Sequence, residues 1–181
     1  MQARLPRRSF LKSGATVTLG LGWADVANAG RTPSGAAAVC REPAREIPVA
    51  GRADVIVCGA GPAGVAAAIS AARSGAKTHL IEVNGCLGGV WTAGLLTNII
   101  DYENKTGIMQ EIQAALEQRD ALVRRSKYDV EKMKLLLEEM CLEAGVKVRL
   151  HTRVAAAVTD AAGRLSMVVT ESKSGREAFA G

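Results

Sequence analysis

The spacing of apolar and polar positions changes along the chain and divides it into distinct elements. Ala53–Cys58 is a short apolar run rich in β-branched residues, the pattern of a strand covered on both faces. Pro62–Ser74 is alanine-rich with apolar residues at helical spacing, and Gly75 stops it. Lys77–Val83 predicts a second strand, and Asn84 to Asn98 a glycine-rich loop. Gly107–Arg119 predicts an amphipathic helix with Ile108, Ile112, Ala115 and Leu116 on one face. Tyr128–Ala144 predicts a stronger one, carrying Val130, Met133, Leu137, Met140 and Cys141, with Gly145 at its end. Val146–Leu150 predicts a third parallel strand. From Arg153 the period shortens to two. Arg153–Thr159, Leu165–Glu171 and Glu177–Ala180 predict antiparallel strands, joined by turns at 160–163 and 172–175.

Strand, helix, strand, helices and strand in succession predict an α/β fold with a parallel sheet, followed by a small antiparallel meander. The expected organisation is a targeting segment at 1–29, a linker at 30–52 without periodicity, and one folded domain at 53–181. The sequence stops inside the third meander strand, so the reading expects a domain truncated before its final strand.

Composition refines this picture. The 181 residues are 48% hydrophobic and only 3% aromatic, so small aliphatic side chains and glycine carry the core. The net charge is +5, but three of those charges lie in residues 1–29. The rest of the chain is nearly balanced and shows no basic stripe with interleaved aromatics, which argues against nucleic acid. No apolar run is long enough for a stable membrane span. Cys40, Cys58, Cys86 and Cys141 form no close pair and no Cys/His cluster, so no metal site is expected. His79 and His151 are read as structural or surface residues, and Met133 and Met140 as core.

Arg7-Arg8-Ser9-Phe10-Leu11-Lys12, the weakly apolar Ala15–Trp23 and the small-x-small Ala27-Asn28-Ala29 follow the order of a twin-arginine signal peptide. That implies the twin-arginine export machinery as a partner and a periplasmic or other extracytoplasmic location. The route resembles one for proteins that fold before export, often around a cofactor.

The chemistry sits where the first strand meets the first helix. Gly59-Ala60-Gly61-Pro62-Ala63-Gly64 is a Gly-x-Gly-x-x-Gly turn between strand and helix, and Glu82 ends the next strand. Gly59 allows the tight turn, Gly61 lets backbone approach a pyrophosphate, and Gly64 lets helix and strand pack closely. The helix N-terminus offers free N–H groups and a positive dipole end, and Pro62 suits an early helical position. Glu82 can accept a ribose hydroxyl. This constellation predicts a dinucleotide site.

Together with Leu87-Gly88-Gly89, Thr92 and Gly94, these residues resemble the N-terminal part of FAD-dependent oxidoreductases of the glutathione-reductase type, over about residues 53–181. The resemblance implies a Rossmann fold, FAD as cofactor, and a dehydrogenase or oxidase with a small-molecule substrate. It implies that Gly59, Ala60, Gly61, Pro62, Ala63 and Gly64 hold the pyrophosphate and Glu82 the adenosine ribose. Gly88, Gly89 and Thr92 would run beside pyrophosphate, ribitol and flavin, and Val154 would set its backbone against the adenine, with Arg153 beside it. Trp91 is read either as a border of the cofactor or as core. Disulfide reductases of this fold carry a Cys-x-x-x-x-Cys pair after the Gly-Gly loop. Here Cys86 precedes that loop and has no partner within it, so dithiol chemistry is not expected, while a redox or flavin-linked role for Cys86 stays open. Two other readings are carried: a fragment without activity of its own, and an NAD-binding oxidoreductase. No catalytic acid, base or nucleophile is read. Asp101, Tyr102, Glu103, Lys105 and Lys127 are read as surface residues.

Overall fold

A computed structural model describes residues 38, 40 and 42–181, of which Arg45–Gly181 form one compact unit. The signal-peptide reading at 1–29 lies outside the described residues.

Strand β1 (Val49–Arg52) is followed by β2 (Val55–Cys58), helix α1 (Pro62–Arg73) and β3 (Thr78–Ile81). Helix α2 (Ile108–Gln118), a hairpin of β4 (Leu122–Arg124) and β5 (Lys127–Tyr128), helix α3 (Val130–Glu143) and β6 (Lys147–Arg149) come next. The chain closes with β7 (Arg153–Thr159), β8 (Leu165–Ser172) and β9 (Gly175–Ala180). β2, β3 and β6 form a parallel sheet in the order β2-β3-β6, and β7, β8 and β9 form the antiparallel meander. The chain is thus α/β with a Rossmann-like parallel sheet.

Three features differ from the expectation. The stretch read as a linker contains β1, which pairs in parallel with β9 (Val49 with Ala178, Arg52 with Ala180). Nothing local predicts it. Pro48 and Gly51 flank and interrupt the run, and the pairing partner lies at the other end of the sequence. The second amphipathic helix starts later than expected, because Asp129 caps it by accepting the N–H groups of Glu131 and Lys132 at 2.8 and 3.1 Å. Tyr128 therefore lies outside the helix, in the hairpin. That hairpin was not expected, its two strands being too short to show a period.

The helices cover one face of the parallel sheet. Val65, Ala68 and Ile69 of α1, Ile112 and Leu116 of α2, and Met133, Leu136, Leu137 and Met140 of α3 form one core with Leu80 of β3. Each fully buried aliphatic side chain stabilises the fold by about 1.5–3 kcal/mol relative to exposure. On the meander side, Phe179 is buried with its ring edge-on to His79 at 5.4 Å. Arg149 lies over the same ring, 5.8 Å from its centroid, and pairs with Glu177. His79 thus serves packing, and burial followed by the charges of Lys147 and Arg149 lowers its pKa. Among the described residues no helix is long and apolar enough to cross a membrane.

The consequence for function is positional. Cys58, Ile81 and Arg149 end three parallel strands side by side, and the crevice beyond the carboxyl ends of such strands is where α/β folds accommodate ligands.

Candidate functional site

The first turn reverses at Gly59, whose φ of +102° is a conformation glycine adopts readily. Its N–H donates to the Ile81 carbonyl at 2.8 Å, which joins the turn to the end of β3. Gly61 caps α1, with Pro62 at its first position, and Val65 N–H donates back to the Gly61 carbonyl at 3.0 Å. The glycines divide the work. A Cβ on Gly64 would lie 1.9 Å from the Gly59 carbonyl oxygen, so this position is closed by packing. A Cβ on Gly61 would meet nothing within 4 Å, so this face is open. Ala60 is fully buried and contributes through its backbone, whereas Ala63 is exposed in the first helical turn. First-turn N–H groups have no acceptor within the helix and point outward with the positive dipole end, the donor set an anionic phosphate needs.

Glu82 is 5% exposed, yet its carboxylate is well supplied. One oxygen accepts the Ala60 N–H at 2.6 Å, and the other accepts the Asn84 N–H at 2.8 Å and its Nδ2 at 2.7 Å. An ionised carboxylate offers about four lone-pair sites. Three are used, leaving one for a hydroxyl group. The backbone of Glu82 is held as well, donating to Arg149 O at 2.8 Å and accepting from Thr152 N–H at 2.9 Å.

The second glycine loop lies directly on the first. Gly88 N–H donates to Ala60 O at 2.7 Å, and a Cβ on Gly89 would come 2.9 Å from the Gly61 Cα. Gly88 and Gly89 have φ values of +105° and +53°. Gly94 is closed too, since a Cβ there would lie 2.8 Å from the Val90 Cα.

Thr92, expected to run beside pyrophosphate, ribitol and flavin, turns its hydroxyl into the loop. It is fully buried, and its hydroxyl donates to the Leu87 carbonyl at 2.5 Å. Its proton closes the loop, and its side chain holds Gly88 from the inner side. The Cys86 Sγ lies 3.7 Å from the same hydroxyl. Trp91 packs against the helical core.

Gly59, Glu82 and Val154 line one cleft of about 200 Å³, together with Cys58, Ile81, Val83, Thr152 and Arg153. Val154, far from the other two in sequence, is brought there because the chain passes from β6 into β7 beside the end of β3, where Thr152 N–H donates to Glu82 O at 2.9 Å. This cleft opens at the end of the glycine turn, with an acceptor at its wall. The spare Glu82 lone pair in this cleft, and beside it the open Gly61 face and the first-turn N–H groups of α1, fit a ribose and a pyrophosphate of one dinucleotide.

Two contributors escape sequence reasoning. Asn84 orients Glu82, but an asparagine in a glycine-rich loop carries no signal beyond a turn. Tyr128 is 2% exposed, with its hydroxyl 2.8 Å from Leu96 O and 3.0 Å from Trp91 O. Recognising Asp129 as a helix cap would have placed it outside the helix. Asp101, Tyr102, Glu103 and Lys105 stand apart from this cleft. Tyr102 donates to Glu117 at 2.7 Å, Glu103 pairs with Arg125 at 2.5 Å, and Lys105 pairs with Asp101 at 3.8 Å. All four cysteines are free thiols. Among the described residues no group of three or more His, Cys, Asp or Glu side chains could hold a metal ion.

The model of the family described as FAD dependent oxidoreductase matches residues 54–181. A thiamine thiazole synthase of Aeropyrum pernix is 36% identical over 99 residues, covering 54% of this chain and 36% of that protein. The chain thus spans about a third of the length of this curated relative. Among solved structures, a myxobacterial chondrochloren halogenase, described as FAD-dependent, superposes with a TM-score of 0.55 at 14% identity. That match covers 72% of this chain and 36% of the other. A 3-ketosteroid-Δ4-(5α)-dehydrogenase of Rhodococcus jostii gives 0.55 at 18% identity, covering 73% and 44%. These likenesses are ones of fold.

Proposed function

The chain belongs to the FAD dependent oxidoreductase family, and on that premise we propose that it forms the nucleotide-holding part of an FAD-dependent dehydrogenase or oxidase. The observation that carries the reading is the contact between the two glycine loops. Gly88 N–H bonds Ala60 O at 2.7 Å, and both loops lie at the carboxyl ends of the parallel strands beside Glu82. Family membership makes FAD the cofactor, in preference to the NAD reading.

In this proposal each residue has a defined task. Of the turn Gly59, Ala60, Gly61, Pro62, Ala63 and Gly64, the N–H groups of Gly61, Ala63 and Gly64 would hold the pyrophosphate at the N-terminus of α1, while Gly59 and Ala60, whose N–H groups go to Ile81 O and Glu82, and Pro62, which has none, shape the turn around it. Glu82, already fixed by Ala60 and Asn84, would accept a ribose hydroxyl with its remaining lone pair. The backbone of Val154 would border the adenine. Gly88 and Gly89 would let the second loop approach the ribitol and flavin without side-chain clash, with Thr92 bracing that loop from behind. FAD supplies the redox chemistry, by accepting or donating a hydride or single electrons. The two glycine loops and Glu82 would orient it.

The full chain expressed with FAD is expected to copurify as a yellow protein. A folded chain that stays colourless and takes up no FAD in titration contradicts the reading. A parallel titration with NAD separates the two nucleotides.

The same proposal includes export. Arg7-Arg8, the apolar stretch and Ala27-Asn28-Ala29 support recognition by the twin-arginine machinery after cofactor loading, giving a periplasmic or other extracytoplasmic protein. Replacing both Arg7 and Arg8 by Lys is expected to leave the full-length precursor in the cytoplasm. Undiminished export of that variant contradicts it.

A further inference from the structure

We propose that the β4–β5 hairpin is a clamp for the second glycine loop, with Tyr128 as its positioning residue, an inference that rests on reading this loop as part of the FAD site. Two loop carbonyls, those of Trp91 and Leu96, converge on the single Tyr128 hydroxyl at 3.0 and 2.8 Å. The hairpin backbone adds to this. Tyr128 N–H donates to Thr97 O at 3.2 Å, and Ile99 N–H donates to Ser126 O at 2.8 Å. The Ser126 hydroxyl donates to Asn98 Oδ1 at 2.7 Å, and Asn98 bridges Lys127 as an antiparallel pair. One short hairpin thus grips the loop at Trp91 and from Leu96 to Ile99.

The loop needs such a grip. Leu95 sits at a φ of +55°, a left-handed conformation that a leucine adopts only when its surroundings impose it. Val90, Leu95 and Leu96 are exposed, so burial of their own side chains does not hold the segment. At its other end the loop is tied to the first glycine turn through Gly88 and Ala60. A shift at Leu96 therefore propagates toward the Gly89–Gly61 contact, where the cofactor is held. The Tyr128 ring is anchored in the helical core, which makes its hydroxyl a fixed reference point. Burial also raises its pKa from 10.0 to about 12, so the hydroxyl remains a donor across the physiological range.

Tyr128→Phe in the full chain keeps the ring and removes the grip. Three quantities read it: the FAD dissociation constant, the visible circular dichroism of bound flavin, and amide hydrogen exchange at Leu96 and Thr97 without FAD. The expected result is about a tenfold weaker FAD affinity, a changed flavin dichroism, and about tenfold faster exchange at both amides. Tyr102→Phe is the control. It removes a hydroxyl bonded to Glu117, outside the loop, and is expected to leave all three unchanged. If Tyr128→Phe does not fold, Ser126→Ala carries the test, with an expected change of about threefold in affinity and exchange. A folded variant of either kind that matches the unsubstituted chain in all three quantities overturns the clamp. Failure of the unsubstituted chain to bind FAD overturns the cofactor reading instead, and exchange at Leu96 and Thr97 still decides the clamp.

Discussion

The carboxylate of Glu82 accepts the backbone N–H of Ala60 at 2.6 Å, so the acidic residue after the second parallel strand is fastened to the middle of the first glycine turn. The acceptor for a ribose and the cradle for a pyrophosphate are one hydrogen-bonded unit. Because Gly88 N–H reaches Ala60 O at 2.7 Å, this single alanine backbone joins all three parts of the site.

Glu82→Gln tests that unit. Glutamine keeps the size, loses the charge, and replaces one acceptor oxygen by an NH₂ group. Either Ala60 N–H or the Asn84 donors then lose their partner, and a hydrogen bond to a charged group contributes about 1.5–3 kcal/mol. The variant is expected to bind FAD at least about tenfold more weakly and to melt at lower temperature. Titration of the folded variant checks this, and an unchanged affinity removes Glu82 from the site.

Gly64→Ala separates packing from binding. Its Cβ would stand 1.9 Å from the Gly59 carbonyl oxygen, a backbone atom that cannot turn aside. Helix α1 must move away from β2, and a loss of about 3 kcal/mol of stability or more is expected. Denaturant unfolding measures it. A variant as stable as the unsubstituted chain contradicts the close packing of turn and helix.

Much of this was readable in advance, because the relevant signals are local. Gly59, Gly61 and Gly64 fall between a β-branched run and an alanine-rich run, and the spacing alone assigns each its place. The antiparallel meander was equally readable, since its strands alternate and its turns carry Gly163 and Gly175, both at positive φ. The illegible parts depend on distant partners. Strand β1 exists through pairing with β9. The Thr92 hydroxyl can serve a ligand or a carbonyl equally well, and only the fold brings Leu87 O to 2.5 Å from it. Helical spacing continues through Tyr128, although Asp129 caps α3 just after it.

The cysteines report on cleft occupancy. Cys58 is exposed and lines the cleft with Gly59, Glu82 and Val154, Cys40 is exposed away from those residues in sequence, and Cys141 is buried. Alkylation of the folded chain is expected to label Cys58 and Cys40 and to spare Cys141 until unfolding. FAD is expected to protect Cys58 and leave Cys40 reactive. Labelling of Cys58 at the same rate with and without FAD contradicts the placement of the adenosine end in this cleft.

Alkaline stability follows from two buried acids. Burial raises Cys141 from 9.0 to about 11, with a further contribution from Glu138, and raises Tyr128 from 10.0 to about 12. Both are held neutral in the fold and lose their protons earlier when unfolded. Their contribution is complete below pH 9, declines from there as the unfolded chain ionises first, and is lost as pH rises through about 12. Unfolding free energies measured across this range are expected to fall, and to fall less steeply above pH 10 in Tyr128→Phe. A flat profile contradicts the burial of these groups.

Gly61→Ala is the most direct test of the whole account. The position has ordinary helical-entry dihedrals, with φ at −65°, and a Cβ there would meet no protein atom within 4 Å. The substitution is therefore expected to leave the melting temperature unchanged, while the methyl group occupies the space needed by a pyrophosphate. FAD titration of Gly61→Ala beside the unsubstituted chain should show affinity reduced on the order of a hundredfold at equal stability. Equal FAD affinity in the two proteins would contradict the claim that the open face of this glycine turn is where the cofactor is held.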